Sequence, residues 1–527
     1  MSLIRNVSTI GGLTLVSRVF GFARDMLLSR LLGAGTGADA FFVAFKLPNI
    51  FRRLFAEGAF SAAFVPMFSK ELHRPEAEGG GQAAAIRFSG QVLSVFLPVL
   101  FVFTALAEIF MPWVVEAMAG AYRDVPGKFE LTVALSRITF VYLALVSLVS
   151  LLAGILNSMS RFAEAAAAPI LLNICMITAV VVFGSTAGDD GFQTARALSV
   201  AVSISGILQF IWLVMAVRRA GIELRIFRPQ WTPKVKRLLT IMLPATFGAG
   251  IYQISQLVDV FFATRLREGA MSFLNYADRL NQLPLGVIGI ALGTAILPAL
   301  SRLVGRGDQA GVQKLMGQAL ELSMLLTVPS AVGLMMCRDA LTQAFFVGGK
   351  FDLADAAITA DVMAGLAVGL PAYVLIKVFT PGYFARGDTR TPVWTALVSL
   401  IVNIALILLL IGRFDIVGLV IASAAAAWLN TLLLYGGLHR RGQFHLTAPI
   451  MGRIARQALA AAAMGVLLWY LSGVLAPHFV GAPFERVWSV AALVVPAALL
   501  YFAALFLLGG IDKNEIARFK RPAAAAD

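Results

Sequence analysis

Long apolar segments separated by short polar connections follow one another along the whole chain of 527 residues. Segments such as "VWSVAALVVPAALLYFAALFLLGG" are long enough for an α-helix that crosses a hydrocarbon core about 30 Å thick. The short alternating strands of a membrane barrel are not visible in the pattern. The chain is therefore predicted to be an all-α polytopic membrane protein with about fourteen transmembrane helices, which begin near residues 8, 38, 88, 131, 163, 194, 236, 271, 314, 356, 393, 416, 451 and 486.

Composition agrees with this class, because 59% of the residues are hydrophobic and only 14% are charged. The net charge of +14 does not require a nucleic-acid partner, since loops that face the cytoplasm collect lysine and arginine. The predicted even-numbered connections hold most of these residues, including a dense run from Arg218 to Arg237, while the opposite connections are sparser and include the acidic segment 184–191. Both termini are therefore predicted to lie in the cytoplasm, with the first segment kept as a helix rather than removed as a signal peptide.

Motifs of catalysis and metal binding are not found in the sequence. Cys175 and Cys337 lie inside apolar segments, where packing is the expected role. The four histidines fall in predicted loops without ligand spacing, and there is no phosphate-binding loop, zinc-protease motif or nucleophile elbow. These observations predict a protein that is not an enzyme and that holds no cofactor or metal.

The two halves of the chain resemble each other. Residues 37–70 align without a gap with residues 269–302, so that Gly37 lies opposite Gly269 and Pro66 lies opposite Pro298. An even number of helices separates the copies, which predicts a parallel repeat, and transporters with such repeats bind substrate between their halves. The predicted parts are an N-terminal lobe of six helices (1–220), a second lobe of six (221–445), and a final helix pair with a cytoplasmic tail (446–527).

Charged side chains inside the apolar spans are the main functional signal. Each should cost roughly 2.5–3.5 kcal/mol at the centre of a membrane helix. Ion pairing or snorkelling explains any one of them equally well, but as a set the basic groups are in excess. The basic groups are Arg18, Arg24, Lys46, Arg52, Arg53 and Arg279, and the acidic groups are Asp25, Asp39, Glu57 and Asp278. Because arginine binds phosphate through two parallel hydrogen bonds and stays charged at any depth, the excess predicts a polar cavity for an anion that carries phosphate.

Helix-breaking residues occur in the same spans. Pro48 and Gly58 in the second span, and Pro284 and Gly286 in the eighth, predict interruptions at mid-depth, where non-helical backbone lines a cavity and can act as a hinge. An ordinary kink explains each proline alone equally well.

Four segments closely resemble the MurJ/MviN lipid II flippase family, within the multidrug and oligosaccharidyl-lipid exporter superfamily. They are "SRVFGFARD" (17–25), "DAFFVAFKLPNIFRRLFAEGAFSAAFVP" (39–66), "YADRL" (276–280) and "GIALGTAILPALS" (289–301). The resemblance implies two six-helix lobes around a cationic central cavity, and a last helix pair that helps to form a groove for a lipid tail. It also implies that Ser272 lines the cavity, and that the essential residues of the family are Arg18, Arg24, Asp39, Arg52 and Arg279.

The resulting hypothesis is a flippase that moves lipid II, an undecaprenyl-diphosphate-linked disaccharide-pentapeptide, from the inner to the outer leaflet of the bacterial cytoplasmic membrane by alternating access. Arg24, Arg52 and Arg279 are the expected diphosphate contacts, and Asp39 is expected to orient Arg24. Expected partners are lipid II, membrane lipids and the cell-wall synthesis machinery, with no nucleic acid. One departure from the family pattern is Gln282, which stands where some relatives carry an acid.

Three alternatives stay open at this point. They are a flippase for another polyprenyl-diphosphate-linked glycan, a multidrug cation antiporter, and a membrane scaffold that transports nothing. The antiporter would need an excess of acidic rather than basic groups. The expected energy source is the membrane potential or a monovalent ion. Asp259, helped by Asn403, is the candidate ligand for such an ion. The competing interpretation is that Asp259 is a hydrogen-bonded structural residue.

Overall fold

The computed structural model describes residues 3–53, 60–184, 191–224 and 228–510 and consists of α-helices. No strand is assigned within these ranges, where Gly348 and Phe351 form an isolated β-bridge. The prediction of an all-α protein is confirmed. Helices suit a chain surrounded by lipid because each one satisfies its backbone hydrogen bonds internally.

The first of two compact units comprises Met1–Ser272 and Gly348–Phe351. It contains eight helices and the first residues of a ninth in its described part: α1 Leu3–Leu32, α2 Thr36–Phe51, α3 Ser61–His73, α4 Gln82–Ala119, α5 Lys128–Ser158, α6 Ala163–Phe183, α7 Phe192–Arg219, α8 Pro233–Ala263 and α9 Ala270–Gly305. Within it, α1 packs on α6, and α5 packs on α2 and α7. A stack of phenylalanines fills its core, with the ring centroids of Phe60 and Phe64 5.1 Å apart and those of Phe64 and Phe88 5.7 Å apart.

The second unit comprises Phe273–Val347 and Asp352–Asp527. It contains most of α9 together with α10 Gln309–Met336, α11 Arg338–Phe346, α12 Leu353–Phe384, α13 Arg390–Arg440, α14 Ala448–Leu475 and α15 Pro483–Leu507. Within this unit, α10 packs on α12 and α14, and α14 packs on α15. One apolar core lies between α9, α10, α12 and α13, and a second lies between α14 and α15.

The fourteen predicted helices correspond to the described elements. Helix α13 contains two of them, because Asp415 adopts φ +49° and ψ −132° and so divides it into 390–414 and 416–440. Each predicted start lies within a few residues of an observed helix start. Among the described residues, nine helices are long and apolar enough to cross a membrane. The predicted boundaries between lobes, at residues 220 and 445, stay predictions.

Two local predictions need correction. Helix α2 continues through Pro48 and α9 through Pro284, so these prolines do not interrupt their helices; α2 instead changes to a π-helical turn at residues 52 and 53. His439 lies in the last turn of α13 and His73 is the last residue of α3, although both were expected in loops. Glu57, Gly58 and most of the acidic segment 184–191 lie outside the described residues.

Candidate functional site

Arg24 is held in a defined orientation on α1. Its Nη2 lies 2.7 Å from Oδ1 of Asp25, and its Nε donates a hydrogen bond to the same oxygen at 2.9 Å. Its Nη1 donates to Oδ1 of Asn173 on α6 at 3.1 Å, and the Asn173 amide donates back to the carbonyl of Ser17 on α1 at 3.0 Å. Two packed helices therefore position the guanidinium of a side chain that is 12% exposed.

Asp39, in the first turn of α2, is buried and accepts four hydrogen bonds. Lys128 Nζ and the Gly269 backbone N–H each donate to Oδ2 at 2.9 Å. Ser272 donates to Oδ1 through its backbone N–H at 3.1 Å and through its hydroxyl at 2.9 Å. The carboxylate therefore joins the N-terminal ends of α2, α5 and α9. Ser272 is fully buried in this contact, and its role in lining a cavity stays a prediction.

The expected contact between Asp39 and Arg24 is replaced by other pairs. Within the described part of the chain, the partners of Arg24 are Asp25, Asn173 and the Met176 sulfur, and the ionic partner of Asp39 is Lys128. The prediction failed because it considered only charges in neighbouring spans, whereas Lys128 begins a helix much later in the chain.

Polar contacts continue around Lys128 at the same end of the first unit. Its Nζ lies 4.2 Å from the centroid of the Tyr122 ring, within the range of a cation–π interaction. The Thr36 hydroxyl donates to a Glu268 carboxylate oxygen, and the Thr264 hydroxyl donates to the Met118 carbonyl at 3.1 Å. These polar contacts therefore link the segments that precede α2, α5 and α9.

The remaining predicted arginines of the first unit lie on α1 and at the end of α2. Arg18 is half-buried, two turns before Arg24. Arg52 is half-buried and Arg53 is exposed, and both lie in the π-helical turn. Short π-helical turns inside α-helices occur frequently at functional sites.

In the second unit, Arg279 is half-buried on α9. One turn away, the Gln282 side-chain amide donates a hydrogen bond to Asp278. The residue at the position where some relatives carry an acid is therefore a hydrogen-bond donor here.

The two candidate cation ligands belong to different units. Asp259 is half-buried on α8 in the first unit. Asn403 is buried on α13 in the second unit, where its Oδ1 accepts a hydrogen bond of 3.5 Å from the Ser423 hydroxyl. Their joint role in binding a cation stays a prediction.

A family model described as "Lipid II flippase MurJ" matches residues 28–488. The chain belongs to the lipid II flippase MurJ family. This is a family of transporters, which agrees with the prediction that the protein is not an enzyme and with its many apolar helices.

Individual proteins give the same result. A "Probable lipid II flippase MurJ" of Rhizobium meliloti (strain 1021) is 41% identical over 529 aligned positions, which cover 100% of this chain and 98% of that protein. The solved structure "Lipid II flippase MurJ, inward closed conformation" has a TM-score of 0.75 at 22% identity and covers 97% of this chain and 99% of its own. An inward-facing multidrug resistance MATE transporter of the MOP superfamily has a TM-score of 0.64 at 13% identity, covering 81% and 94%. At these identities the two structures show a shared fold.

For this MurJ family member, two acids of the predicted set bind groups outside that set. Asp39 was counted as one of four acids available to the arginines, but it is paired with Lys128, which was not counted. Asp278 accepts from Gln282. Asp25, a third acid of the set, binds a predicted arginine, namely Arg24.

Two residues of this arrangement were missed by the sequence reasoning, namely Lys128 and Asn173. Lys128 was assigned to a connection, because the next helix was predicted to begin near residue 131. Asn173 carries no charge, although a polar amide within the apolar run "APILLNICMITAVVV" was a signal that could have found it.

Proposed function

We propose that this protein transports lipid II from the inner to the outer leaflet of the bacterial cytoplasmic membrane. Membership of the MurJ family supports the substrate. The oriented guanidinium of Arg24, on a partly exposed side chain, is the single observation that supports the binding chemistry. A guanidinium has five N–H donors. The contacts to Asp25, Asn173 and the Met176 sulfur engage four of these donors and fix the plane of the group, so one N–H of Nη2 remains to bind a phosphate oxygen.

We assign the diphosphate contacts to Arg24, Arg52 and Arg279, with Arg18 and Arg53 contributing positive charge. The polar head cannot cross hydrocarbon unaided, because each unsatisfied polar group there costs several kcal/mol. Arginines would replace the water around the diphosphate, while the polyprenyl tail stays in an apolar environment. An apolar groove of about 330 Å³ between α10 and α14, lined by residues such as Met336, Val466 and Trp469, offers such an environment.

Alternating access of the two lobes completes the proposed mechanism. The internal repeat supports it, since parallel repeats in transporters move relative to each other around a fixed site. We further propose that both termini face the cytoplasm, on the basis of the charge asymmetry of the connections.

The membrane potential is the proposed energy source. An inside-negative potential favours outward movement of an anion by about 2.3 kcal/mol per charge per 100 mV. A monovalent cation bound by Asp259 and Asn403 is the second proposal, and it would assist the return of the empty transporter. Flux measured in vesicles with an imposed potential, with and without Na⁺, separates the two.

The decisive experiment measures transport by single variants in cells depleted of their own flippase. Arg24→Ala, Arg52→Ala and Arg279→Ala should each abolish growth while the protein still inserts into the membrane. Arg440→Ala is the matched control, because this arginine is exposed at the end of α13 and should leave growth unchanged. Normal growth of all three site variants would refute the binding site.

A binding experiment identifies the substrate. Purified protein should bind lipid II more tightly than other polyprenyl-diphosphate glycans added as competitors. Equal competition would favour the more general glycan flippase, and preferential binding of organic cations would favour an antiporter.

A further inference from the structure

Two histidines that are six residues apart in sequence meet at one end of the second unit. His439 lies in the last turn of α13, and His445 lies in the loop that leads to α14. Their Nδ1 atoms are 3.0 Å apart, and both side chains are exposed. The ring centroids are 4.7 Å apart with an interplanar angle of 83°.

The Nδ1 atoms are close enough to share either a proton or a metal ion. A separation of 3.0 Å lies in the range of an N–H···N hydrogen bond, in which one ring donates and the other accepts. The same separation is near the distance between two neighbouring ligand nitrogens around a metal ion, since each metal–imidazole bond is about 2.0–2.1 Å long. A metal ion can therefore replace the shared proton with little movement of the two rings.

The backbone around His445 is fixed from several directions. Gln313 on α10 accepts a hydrogen bond from the His445 N–H at 3.0 Å, and its side-chain amide donates to the His445 carbonyl. The Leu446 N–H donates to the Tyr435 hydroxyl at 3.3 Å, and that hydroxyl lies 3.4 Å from Nδ1 of His439. Contacts with α10, α13 and the loop therefore hold His439 and His445 in place. This order reduces the conformational entropy that the two residues would lose on binding an ion.

Two arginines, Arg440 and Arg441, lie next to His439 in sequence, and their charges are compatible with a bound cation. Arg441 follows in the same turn, but Asp388 binds its Nη1 at 2.6 Å and neutralises most of its charge. Arg440 is exposed to solvent, where its repulsion is screened.

We propose that His439 and His445 form a two-histidine site for a divalent transition-metal ion that prefers imidazole, such as Zn²⁺ or Ni²⁺. The separation of 3.0 Å suits two neighbouring positions in a metal's coordination shell. The described part of the chain holds no cluster of three or more histidine, cysteine, aspartate or glutamate ligands, so water or an external donor would complete the shell. A bound ion would cross-link the end of α13 to the loop before α14.

Calorimetric titration of the full-length, untagged protein with Zn²⁺, and separately with Ni²⁺, tests the proposal. At pH 7.5 we expect one ion per chain, and His439→Ala and His445→Ala should each lower the affinity at least tenfold. His478→Ala is the matched control, because His478 is distant in sequence and packs on Trp488. Thermal melting without metal confirms that the variants fold, as expected for exposed side chains.

The pH dependence gives a second readout. Protons and metal ions compete for the same imidazole nitrogen, so the affinity should fall when the pH is lowered from 7.5 to 5.5. Two results would overturn the proposal. One is an unchanged affinity in both histidine variants. The other is a Kd of the wild-type protein above about 1 mM, which corresponds to a binding free energy of only about 4 kcal/mol.

Discussion

The ammonium of Lys128 lies 2.9 Å from the carboxylate of Asp39, and neither side chain exposes more than 3% of its surface. A buried charge without a partner carries a desolvation penalty of several kcal/mol, so each of these groups depends on the other. The pair also links the starts of α2 and α5 to the start of α9, because Gly269 and Ser272 bind the same carboxylate.

Removing the ammonium should destabilise the first unit strongly. Lys128→Met leaves Asp39 buried with only neutral donors, and the expected loss is about 3–5 kcal/mol. A large drop in melting temperature in detergent measures it. Lys236→Met, which replaces an exposed lysine of the same unit, should change the melting temperature little.

A double variant tests whether the charge is the cause. Combining Lys128→Met with Asp39→Asn removes both charges, so part of the lost stability should return. If the stability that the double variant loses relative to the wild type equals the sum of the two single losses, the two groups do not interact.

A second ion pair connects α10 and α14 in the other unit. Arg453 donates from Nε to Oε2 of Glu321 at 2.8 Å and from Nη2 to Oε1 at 2.6 Å, and the Glu321 side chain is 10% exposed. Arg453→Ala should lose about 1.5–3 kcal/mol of stability. Arg453→Lys should recover only part of this, because an ammonium cannot form both parallel bonds.

The exposed pair between Arg74 and Glu78 is the comparison for this prediction. Its closest N···O distance is 3.5 Å, and its side chains are 41% and 64% exposed. Arg74→Ala should change stability by less than about 0.5 kcal/mol in the same thermal assay. Equal effects of Arg74→Ala and Arg453→Ala would show that burial and geometry do not decide these energies.

The turn at residues 348–351 packs against the end of α1 through a glycine. Gly349 has φ +57°, and a Cβ added there would lie 2.1 Å from the Arg30 carbonyl oxygen, which also accepts a hydrogen bond from the Lys350 N–H at 2.8 Å. Gly349→Ala should therefore cost more than about 2 kcal/mol, through left-handed strain together with loss of this contact.

Gly387→Ala separates the two causes in a melting experiment. Gly387 has φ +74°, but no atom lies within 4 Å of an added Cβ. The expected cost is then the conformational term alone, about 1–2 kcal/mol. A Gly349→Ala protein as stable as Gly387→Ala would mean that the turn moves away from α1 without loss.

The connection between α12 and α13 should show an acid-dependent stability. Partial burial alone would raise the pKa of Asp388, but hydrogen bonds from Arg441 and Thr391 outweigh it and lower the pKa from 3.8 to about 2. Because the folded-state pKa is lowered, the stabilisation is fully present above pH 4 and is lost as the pH falls from about 4 towards 2.

Melting curves of the wild-type protein and Asp388→Asn at several pH values measure this effect. The variant should melt lower at pH 7, and the difference should shrink at pH 3. A difference that stays constant between pH 7 and pH 3 would contradict the lowered pKa.

Part of the candidate site followed from the sequence. Arg18, Arg24 and Arg52 were identifiable because a charged residue within an apolar segment is rare and costly. The partner of Arg24 was harder to identify, since Asp25 and Asp39 are both near it in sequence and only packing of α1 on α6 brings in Asn173. The meeting of His439 with His445 likewise depends on where α13 ends and on Gln313 from α10.

The sequence by itself determined the class of fold, the number of spanning helices and the excess of basic groups, because hydrophobic length and charge are local properties of a segment. Only the tertiary structure decided which charges pair, as in Asp39 with Lys128, and that α2 and α9 continue through their prolines. The physical reason is that a buried charge binds whichever partner the packing of distant helices brings within about 3 Å, and sequence distance does not constrain that choice.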